Sequence, residues 1–339
     1  MNISDQEKHQ LRDRISESIS RYIQRKRYIK YGVGLVAACA LFMFSLTIFQ
    51  EEKKPISPLD TYVNELQKEN VPDQIKLILN DNHKVEIADT DAAISYSKSG
   101  EQVTIGDSES VKQKTGKDQK MVFNTLIVPY GKRSSIELAD GSKVWLNSGS
   151  KLVFPATFIQ EKREVYLEGE AIFEVAHDKK HPFIVKSGSQ DIEVLGTVFN
   201  VSNYHDDEAI NTVLKSGSVK ISYDSSANSP SKETVTISPG TMATYDRSDK
   251  DIKTRKVEVE KYLSWRDGIF IFKNDSMQSI MKKVSRYYNI QIVINDKDLA
   301  NTSFSGYLDV KDNVENVIKT IQETTKFNYT ITNTKININ

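Results

Sequence analysis

Residues 164–177 read EVYLEGEAIFEVAH, and their apolar side chains fall on every second position. The alternation begins at Val165, passes through Gly169 and continues to Val175. Successive side chains of a β-strand point to opposite faces, so this period of two predicts a long strand with one buried face. The glutamates of the segment would then lie on its exposed face, and this interpretation is simpler than a glycosidase pair of carboxylates.

Short segments of the same kind surround this strand between residues 121 and 260, and turn residues separate them. Ser-Gly-Ser occurs at three of these turns, at residues 148–150, 187–189 and 216–218. Many short strands with turns about 8–12 residues apart are typical of all-β domains. The sequence therefore predicts a mainly antiparallel β domain, either a sandwich or a solenoid-like fold.

Two hairpins are predicted from similar phrases at residues 74–87 and 133–146. Each phrase has alternating apolar residues, a polar turn, and then Lys-Val followed by further apolar positions. The second turn contains Asp140-Gly141, which is a strong hairpin signal. Residues 97–119 between the two phrases are rich in Ser, Lys, Gln and Gly and predict a loop or weak strands.

The period changes after Trp265. Apolar residues then recur at helical spacing after Ser276 and again between Asn313 and Thr325, and short strands precede, separate and follow these segments. Ser276 is a suitable N-cap for the first helix. The order predicts a small C-terminal α+β domain with the sequence β-α-β-β-α-β-β.

Residues 31–49, YGVGLVAACALFMFSLTIF, contain no charged side chain. A helix of this length comes close to the roughly 30 Å hydrocarbon core of a bilayer, so one transmembrane helix is predicted. Lys and Arg are concentrated before the run, whereas the charges after it nearly cancel. The positive-inside rule then predicts a single-pass inner-membrane protein with a cytoplasmic N-terminus and a periplasmic C-terminus.

Two alternatives to a membrane anchor fit the sequence less well. A cleaved signal peptide has a short basic start and a small-residue cleavage site, neither of which is found here. A lipoprotein signal could include Cys39, but the apolar run continues for ten residues beyond it.

Residues 5–28 predict an amphipathic helix before this run. Leu11, Ile15, Ile19 and Tyr22 fall on one stripe of such a helix. This stripe is predicted either to lie on the membrane surface or to bind the groove of a partner protein.

Composition excludes several classes of function. The 339 residues carry 46 basic and 46 acidic side chains, so no net charge favours direct binding of nucleic acid. The single cysteine, Cys39, lies inside the apolar run, so the chain after this run can form neither disulfides nor Cys-based zinc sites. Phosphate-binding glycine motifs and a nucleophile elbow are absent from the sequence. His177 and His181 could share a metal on a helix, but Pro182 and the flanking strands favour a solvated turn. We therefore predict no enzyme activity, no cofactor and no metal.

The predicted organisation has six segments. These are a cytoplasmic amphipathic helix (1–30), a transmembrane helix (31–49), a juxtamembrane linker (50–73), β-hairpins with a loop (74–120), a β domain (121–262) and the C-terminal α+β domain (263–339).

Several motifs follow one another in a characteristic order. They are IVPYGKRSS (127–135), LADGSKVWLNSGS (138–150), residues 164–177, VLGTVFNV (194–201), LKSGSV (214–219), ISPG (237–240), WRDGIFIF (265–272) and FSG (304–306). In this order they resemble FecR-family anti-sigma factors over residues 74–339. The C-terminal part resembles the module that ends the longer members, which is related in fold to the short N-terminal domain of secretins and TonB-dependent receptors.

The resemblance implies a role in transmembrane signal transduction and transcription regulation. A family member binds an extracytoplasmic-function sigma factor in the cytoplasm, as an anti-sigma or pro-sigma factor. In the periplasm it reads the signalling domain of a TonB-dependent outer-membrane transporter. The N-terminal stripe would then contact the sigma factor, although 30 residues are fewer than many members have there.

The resemblance also implies a site of self-cleavage. Some members cut themselves at a Gly-Thr bond, which corresponds to Gly196-Thr197 in this sequence. The Thr197 hydroxyl would attack the Gly196 carbonyl carbon, and water would hydrolyse the resulting ester. The alternative at this position is an ordinary strand start.

Two other functions remain open from the sequence. One is a membrane-anchored periplasmic glycan-binding protein or hydrolase, for which residues 74–339 would bind or cut a polysaccharide. The other is a purely structural scaffold.

Overall fold

A computed structural model describes most of the chain: residues 12–27, 42–43, 57–66, 72–79, 83–89, 91–106, 109–115, 121–225, 232–332 and 334–339. The chain divides into two compact units, Met1–Ile56 and Ser57–Asn339. In the first unit, helix α1 covers residues 12–27. The second unit contains the β domain and the C-terminal part.

The β domain is preceded by helix α2, Pro58–Glu65, whose N-cap is Ser57. Its strands are β1 Ile75–Ile78, β2 Lys84–Ile87, β3 Asp91–Tyr96, β4 Gln102–Ile105, β5 Glu109–Lys112, β6 Phe123–Val128, β7 Arg133–Glu137, β8 Lys143–Leu146, β9 Ser150–Pro155, β10 Arg163–Glu174, β11 Phe183–Ser187, β12 Gln190–Val194, β13 Val198–Asn203, β14 Ala209–Ser216, β15 Val219–Tyr223, β16 Glu233–Ile237, β17 Thr241–Asp246 and β18 Asp251–Lys256. All 18 strands belong to one hydrogen-bonded network.

Strand β10 joins two sheets of this network. Its first half pairs with β9 and, in parallel, with β11 in the first sheet, which also contains β1, β2, β6, β12, β15 and β16. Its second half pairs with β8 and β13 in the second sheet, which also contains β3, β4, β5, β7, β14, β17 and β18. Strand β10 is 12 residues long and therefore serves both layers.

The core lies between the two sheets. Val165 and Leu167 from the first half of β10 and Phe173 from its second half are all fully buried in one apolar cluster. The Phe173 ring stacks on that of Phe199, with 5.2 Å between the ring centroids. The alternation of residues 164–177 therefore does mark one continuous inward face, as predicted.

Both predicted hairpins are confirmed. Strands β1 and β2 pair antiparallel with Leu77 opposite Val85, and β7 and β8 pair with Ile136 opposite Val144. The turn between β7 and β8 contains Gly141, which has a positive φ of 81°. The region 97–119 contains the weak strands β4 and β5.

The C-terminal part continues from β18 through two short helical segments, α3 Glu260–Leu263 and a 3-10 helix Ser264–Asp267. It then consists of β19 Ile269–Ser276, α4 Met277–Tyr288, β20 Gln291–Ile294, α5 Lys297–Asn301, β21 Ser303–Asp309, α6 Val314–Thr324, β22 Tyr329–Ile331 and β23 Lys335–Ile338. Strand β19 pairs with β21, and β23 pairs with β20 and β22.

The predicted order of the C-terminal part requires one addition. The Ser276 side chain caps α4 by accepting a hydrogen bond from the Ser279 N–H at 3.2 Å, as expected. However, helix α5 interrupts the two strands that were predicted to be consecutive. Its N-cap is Asp296, which accepts from the Asp298 and Leu299 N–H groups. A helix of five residues is too short to produce an apolar periodicity, so the sequence pattern did not reveal it.

The fold class predicted from the sequence is wrong as stated. The structure is mostly β, and the helices of the described residues are too short or too polar to cross a bilayer. The longest of them, α1, has charged residues at half of its 16 positions. Only Phe42 and Met43 of the run 31–49 belong to the described residues, so the predicted transmembrane helix lies outside the part of the chain that the structure describes.

Candidate functional site

A cleft of about 690 Å³ lies between the second sheet and the C-terminal part. Residues from β10, β13, β14 and β17 line one side of it. Helix α4 and the residues around α3 and β19 line the other side. The cleft therefore joins parts of the chain that are far apart in sequence.

A row of polar side chains crosses the sheet side of the cleft. Glu170 is aligned with Ser202, Ser202 with Asn211, and Asn211 with Thr244 on four neighbouring strands. All four residues line the cleft, and the Thr244 hydroxyl donates to Asn211 Oδ1 at 2.8 Å. Adjacent strands are about 4.8 Å apart, so the row extends over roughly 14 Å. We call these four residues the polar row.

Glu170 is held in place by two amides. Asn147 Nδ2 donates to Glu170 Oε2 at 2.8 Å, and Asn200 Nδ2 donates to Oε1 at 3.2 Å. Burial raises the pKa of Glu170, while Lys283, the two amides and Arg286 offset part of this effect. The carboxyl group is thus a rigidly positioned hydrogen-bond acceptor in the cleft.

Ion pairs connect the two sides of the cleft. Arg286 Nη2 on α4 lies 2.6 Å from Asp206 Oδ1 and 2.7 Å from Asp207 Oδ1. Lys282 Nζ lies 2.6 Å from Asp207 Oδ1, and the Arg286 guanidinium lies 3.8 Å from the centroid of the Tyr204 ring. We call Asp206, Asp207, Lys282 and Arg286 the ion cluster.

The carboxyl groups of the ion cluster are biased toward the charged form. Burial alone would raise the pKa values of Asp206 and Asp207, but hydrogen bonds and charge interactions with Arg286 and Lys282 lower both. The same carboxylates raise the pKa of Arg286 against the effect of its burial. Since each ion pair joins the loop after β13 to α4, the cluster fixes the C-terminal part against the second sheet.

Gly196 and Thr197, the predicted cleavage site, lie outside this cleft just before β13. Thr197 is buried, and its hydroxyl donates to the Ser218 carbonyl oxygen at 3.1 Å. A Cβ atom on Gly217 would lie 2.7 Å from Thr197 Oγ1 and 2.9 Å from the Gly196 carbonyl oxygen. The hydroxyl and the carbonyl therefore both pack against the same glycine.

The segment 177–181 forms a turn, in agreement with the prediction from Pro182 and the flanking strands. Asp178 accepts from the Lys180 and His181 N–H groups, and its Oδ2 lies 2.7 Å from His181 Nδ1. The contact with His181 is the largest cause that lowers the pKa of Asp178 to about 2. The His181 ring is engaged within its own turn.

The predicted partner-binding stripe lies on α1. Ile15, Ile19 and Tyr22 are 50%, 52% and 61% exposed, and Leu11 lies outside the described residues. The described residues of the stripe therefore form an exposed apolar surface on α1.

The cleft was not predicted from the sequence. The alternation of residues 164–177 predicts an exposed strand face for Glu170, and no motif marks residues 204–208. The side chains at even-numbered positions of residues 164–177 do point away from the core between the two sheets. At Glu170, however, helix α4 lies opposite that face of the strand. Charge did provide one signal, since Asp206-Asp207 and the basic residues of α4 are complementary.

Comparison with protein families gives two matches in this chain. The model described as "FecR protein" matches residues 124–220, and the model described as "FecR, C-terminal" matches residues 269–338. The chain belongs to the FecR family. A comparison with curated proteins found no match.

Two solved structures resemble this FecR-family chain. Both are crystal structures of a candidate anti-sigma factor from Parabacteroides distasonis ATCC 8503, at 1.65 Å and 2.50 Å resolution. Each is 27% identical to this chain and is covered over 98% of its own length. They cover 63% and 64% of this chain with TM-scores of 0.57 and 0.56, respectively. Residues of both family-matching regions line the cleft described above, together with residues of the segment 242–265 between them.

Proposed function

We propose that this FecR-family chain is an anti-sigma regulator that passes an external signal to a sigma factor. The observation that carries the proposal is the occurrence of both FecR models in order, on a fold shared with the candidate anti-sigma factor of P. distasonis. A fold that can hold a partner through exposed surfaces is consistent with regulation. We expect no enzymatic turnover of an external substrate.

The finer form of the proposal concerns the sigma factor. An extracytoplasmic-function sigma factor would bind the stripe on α1, because Ile15, Ile19 and Tyr22 are exposed on one face of a helix. Amphipathic helices commonly bind partner proteins by laying such a stripe into an apolar groove. The inner-membrane location of the chain stays a prediction from the sequence.

The experiment is co-purification of the full-length protein with the sigma factors of its own cell. Ile15→Asp combined with Ile19→Asp should abolish capture of one sigma factor, because two charges would enter the apolar contact. Ser20→Asp combined with Gln24→Asp is the matched control, since it places two charges at the same spacing on the other side of α1. Equal capture by both double variants would contradict the assignment of the stripe.

The second partner proposed is the signalling domain of a TonB-dependent outer-membrane transporter. Strand β21 pairs with β19 along one edge, and its Tyr307 side chain is 77% exposed. Such a strand can be extended by a strand of a partner or covered by a partner's face. Tyr307→Ala should weaken capture of the signalling domain, whereas Ile331→Ala on β22, which is also exposed, should not.

Self-cleavage at Gly196-Thr197 remains a further proposal for the same regulator. In this reaction Thr197 Oγ bonds to the Gly196 carbonyl carbon, the C–N bond breaks, and the hydroxyl proton passes to the Thr197 nitrogen. Water then hydrolyses the ester to a Gly196 carboxylate and restores the Thr197 hydroxyl. The shared packing of both groups against Gly217 supports this site.

Denaturing electrophoresis of the purified full-length protein tests the cleavage. Two fragments are expected, one that ends at Gly196 and one that begins at Thr197, and Thr197→Ala should give one intact band. Thr197→Ser, which keeps the hydroxyl, should still give fragments. An intact wild-type chain would rule out the reaction without affecting the sigma-factor proposal.

A further inference from the structure

The polar row is an unusual lining for a covered sheet face. The face of a sheet that packs against another element is normally apolar, because buried polar groups need partners. Here Glu170, Ser202, Asn211 and Thr244 form a continuous hydrogen-bonding surface across four strands, and α4 lies opposite. The space between them is open enough, at about 690 Å³, for a ligand of several ring units.

The row offers both hydrogen-bond donors and hydrogen-bond acceptors. The Glu170 carboxylate accepts, and each of its oxygens has capacity beyond the one amide hydrogen bond that it receives. Ser202 and Thr244 carry hydroxyl groups, and the Asn211 amide both donates and accepts. A ligand rich in hydroxyl groups matches this surface, since a hydroxyl can donate to the carboxylate and accept from the amide.

The charges that line the cleft balance. Five acidic and five basic side chains contribute to it: Glu170, Asp206, Asp207, Glu208 and Asp275, and Arg255, Lys261, Lys282, Lys283 and Arg286. Several of them are already paired, across the cleft in the ion cluster and within its C-terminal side in the 2.7 Å pair of Lys261 with Asp275. A strongly charged ligand would leave part of this set unpaired, so the lining favours a neutral one.

Aromatic rings complete the wall opposite the polar row. Tyr262 and Tyr287 are half-buried there and line the cleft together with Phe270. Apolar ring faces beside hydrogen-bonding groups suit the two surfaces of a pyranose ring, which has apolar C–H faces and a polar edge. The spacing of the strands is close to the length of one pyranose unit, so a straight chain of sugars could place one unit over each strand.

We propose that this cleft binds a neutral, straight oligosaccharide that lies across strands β10, β13, β14 and β17 along the polar row. The chain would then sense a glycan directly, in addition to any signal from a partner protein. The inference rests on the geometry of the cleft and not on the proposed sigma-factor contact, which involves α1.

The test is isothermal titration of the full-length protein with neutral hexasaccharides. The probes are the β-1,4-linked hexamers of glucose, xylose and mannose, with the α-1,4-linked glucose hexamer, whose chain is curved, as the geometric contrast. At least one straight hexamer should bind with a dissociation constant below about 100 µM. Cellobiose should bind more weakly, because it covers fewer members of the row.

Two variants locate the binding. Glu170→Gln removes a charged acceptor and should weaken binding about 10-fold or more, and Asn211→Ala should weaken it several-fold. Glu174→Gln is the matched control, because it makes the same change at an exposed position of the same strand and does not line the cleft. Thermal unfolding of each variant verifies that the chain still folds.

Several outcomes would overturn the proposal. These are the absence of binding by all three straight hexamers, equal affinity of the Glu170→Gln and Glu174→Gln variants, and tighter binding of the curved hexamer. A neutral Ser-Asn hexapeptide that bound more tightly than the sugars would assign the cleft to a peptide instead. Loss of sigma-factor capture in the α1 variants would leave each of these results unchanged.

Discussion

Gly169 lies where β10 passes from the first sheet to the second. Its φ is +87°, and a Cβ atom there would lie 2.6 Å from Ser150 Cα and 2.8 Å from the Gly149 carbonyl oxygen. A backbone atom cannot move aside as the end of a flexible side chain can. Glycine is therefore required at this position both for its conformation and for the close approach of β9.

Replacing Gly169 with alanine should lower the free energy of unfolding by about 2–4 kcal/mol, because it combines a strained backbone with a steric clash. Gly141→Ala is the matched control. It has a similar φ of +81° but no atom within 4 Å of the added Cβ, so only the conformational cost of about 1 kcal/mol is expected. Urea denaturation of both variants measures the difference, and equal losses would show that the contact with β9 is unimportant.

The comparison of Val165 with Glu170 shows what one strand's sequence can predict. Alternation placed Val165 in the core correctly, because burial on the inward face depends only on the period of the strand. The environment of Glu170 depends on Asn147, Asn200 and Lys283, which come from three other parts of the chain. Their approach is set by strand pairing and by the docking of α4, which local periodicity does not encode.

Helix α4 is the element that connects the candidate ligand site to the C-terminal core. Its buried face contains Met277, Ile280, Met281 and Val284, while Lys282 and Arg286 point toward the loop after β13. The Gly131 N–H also donates to the Arg286 carbonyl oxygen at 3.0 Å. The helix is thus held by apolar packing on one side and by charge pairs on the other.

The contribution of the ion cluster should depend on pH in one direction. The pKa values of Asp206 and Asp207 are lowered in the folded state. These two carboxylates therefore stabilise the fold above the ordinary aspartate pKa of about 3.9, and this stabilisation is lost as the pH falls through the lowered pKa values. Asp207→Asn should therefore lower the urea midpoint at pH 6, and the difference from the wild type should shrink as the pH falls below about 4.

Asp249→Asn provides the control for this pH dependence. Asp249 is exposed in the turn between β17 and β18, so its replacement should leave the urea midpoint close to that of the wild type at both pH values. A difference between Asp207→Asn and the wild type that grew toward low pH would contradict the sign derived from the ion cluster.

The sequence predicted elements with strong local signals and missed those without them. Helix α4 has both an N-cap at Ser276 and an apolar stripe, and it begins where predicted. Helix α2 lies in the predicted juxtamembrane linker (50–73), a prediction that is based on Pro55 and Pro58. Instead Pro58 occupies the first turn of α2, where proline is favourable, and Leu59 is buried against the β domain.

At the scale of the second unit, the apolar core of the C-terminal part extends into the β domain. Ile172 on β10 is fully buried in this second core, together with Trp265 and Phe270, and Trp145 and Val198 pack against it. Arg133 Nη1 also donates to the Trp265 carbonyl oxygen at 3.2 Å. The boundary predicted at residue 262 therefore separates two sequence patterns that share one continuous packing interface.

This shared interface predicts cooperative unfolding of the second unit. Ile172→Ala should remove buried contacts from the core of the C-terminal part and cost about 2–5 kcal/mol, although Ile172 itself belongs to the β domain. Because the interface couples both parts, calorimetry of the full-length variant should show their unfolding shift together to lower temperature. Ile159→Ala, at a position that is 51% exposed, should change the free energy of unfolding by less than about 0.5 kcal/mol. If instead only one of two resolved transitions moved in Ile172→Ala, the C-terminal part would fold independently, and the cleft between the two regions could open without unfolding either of them.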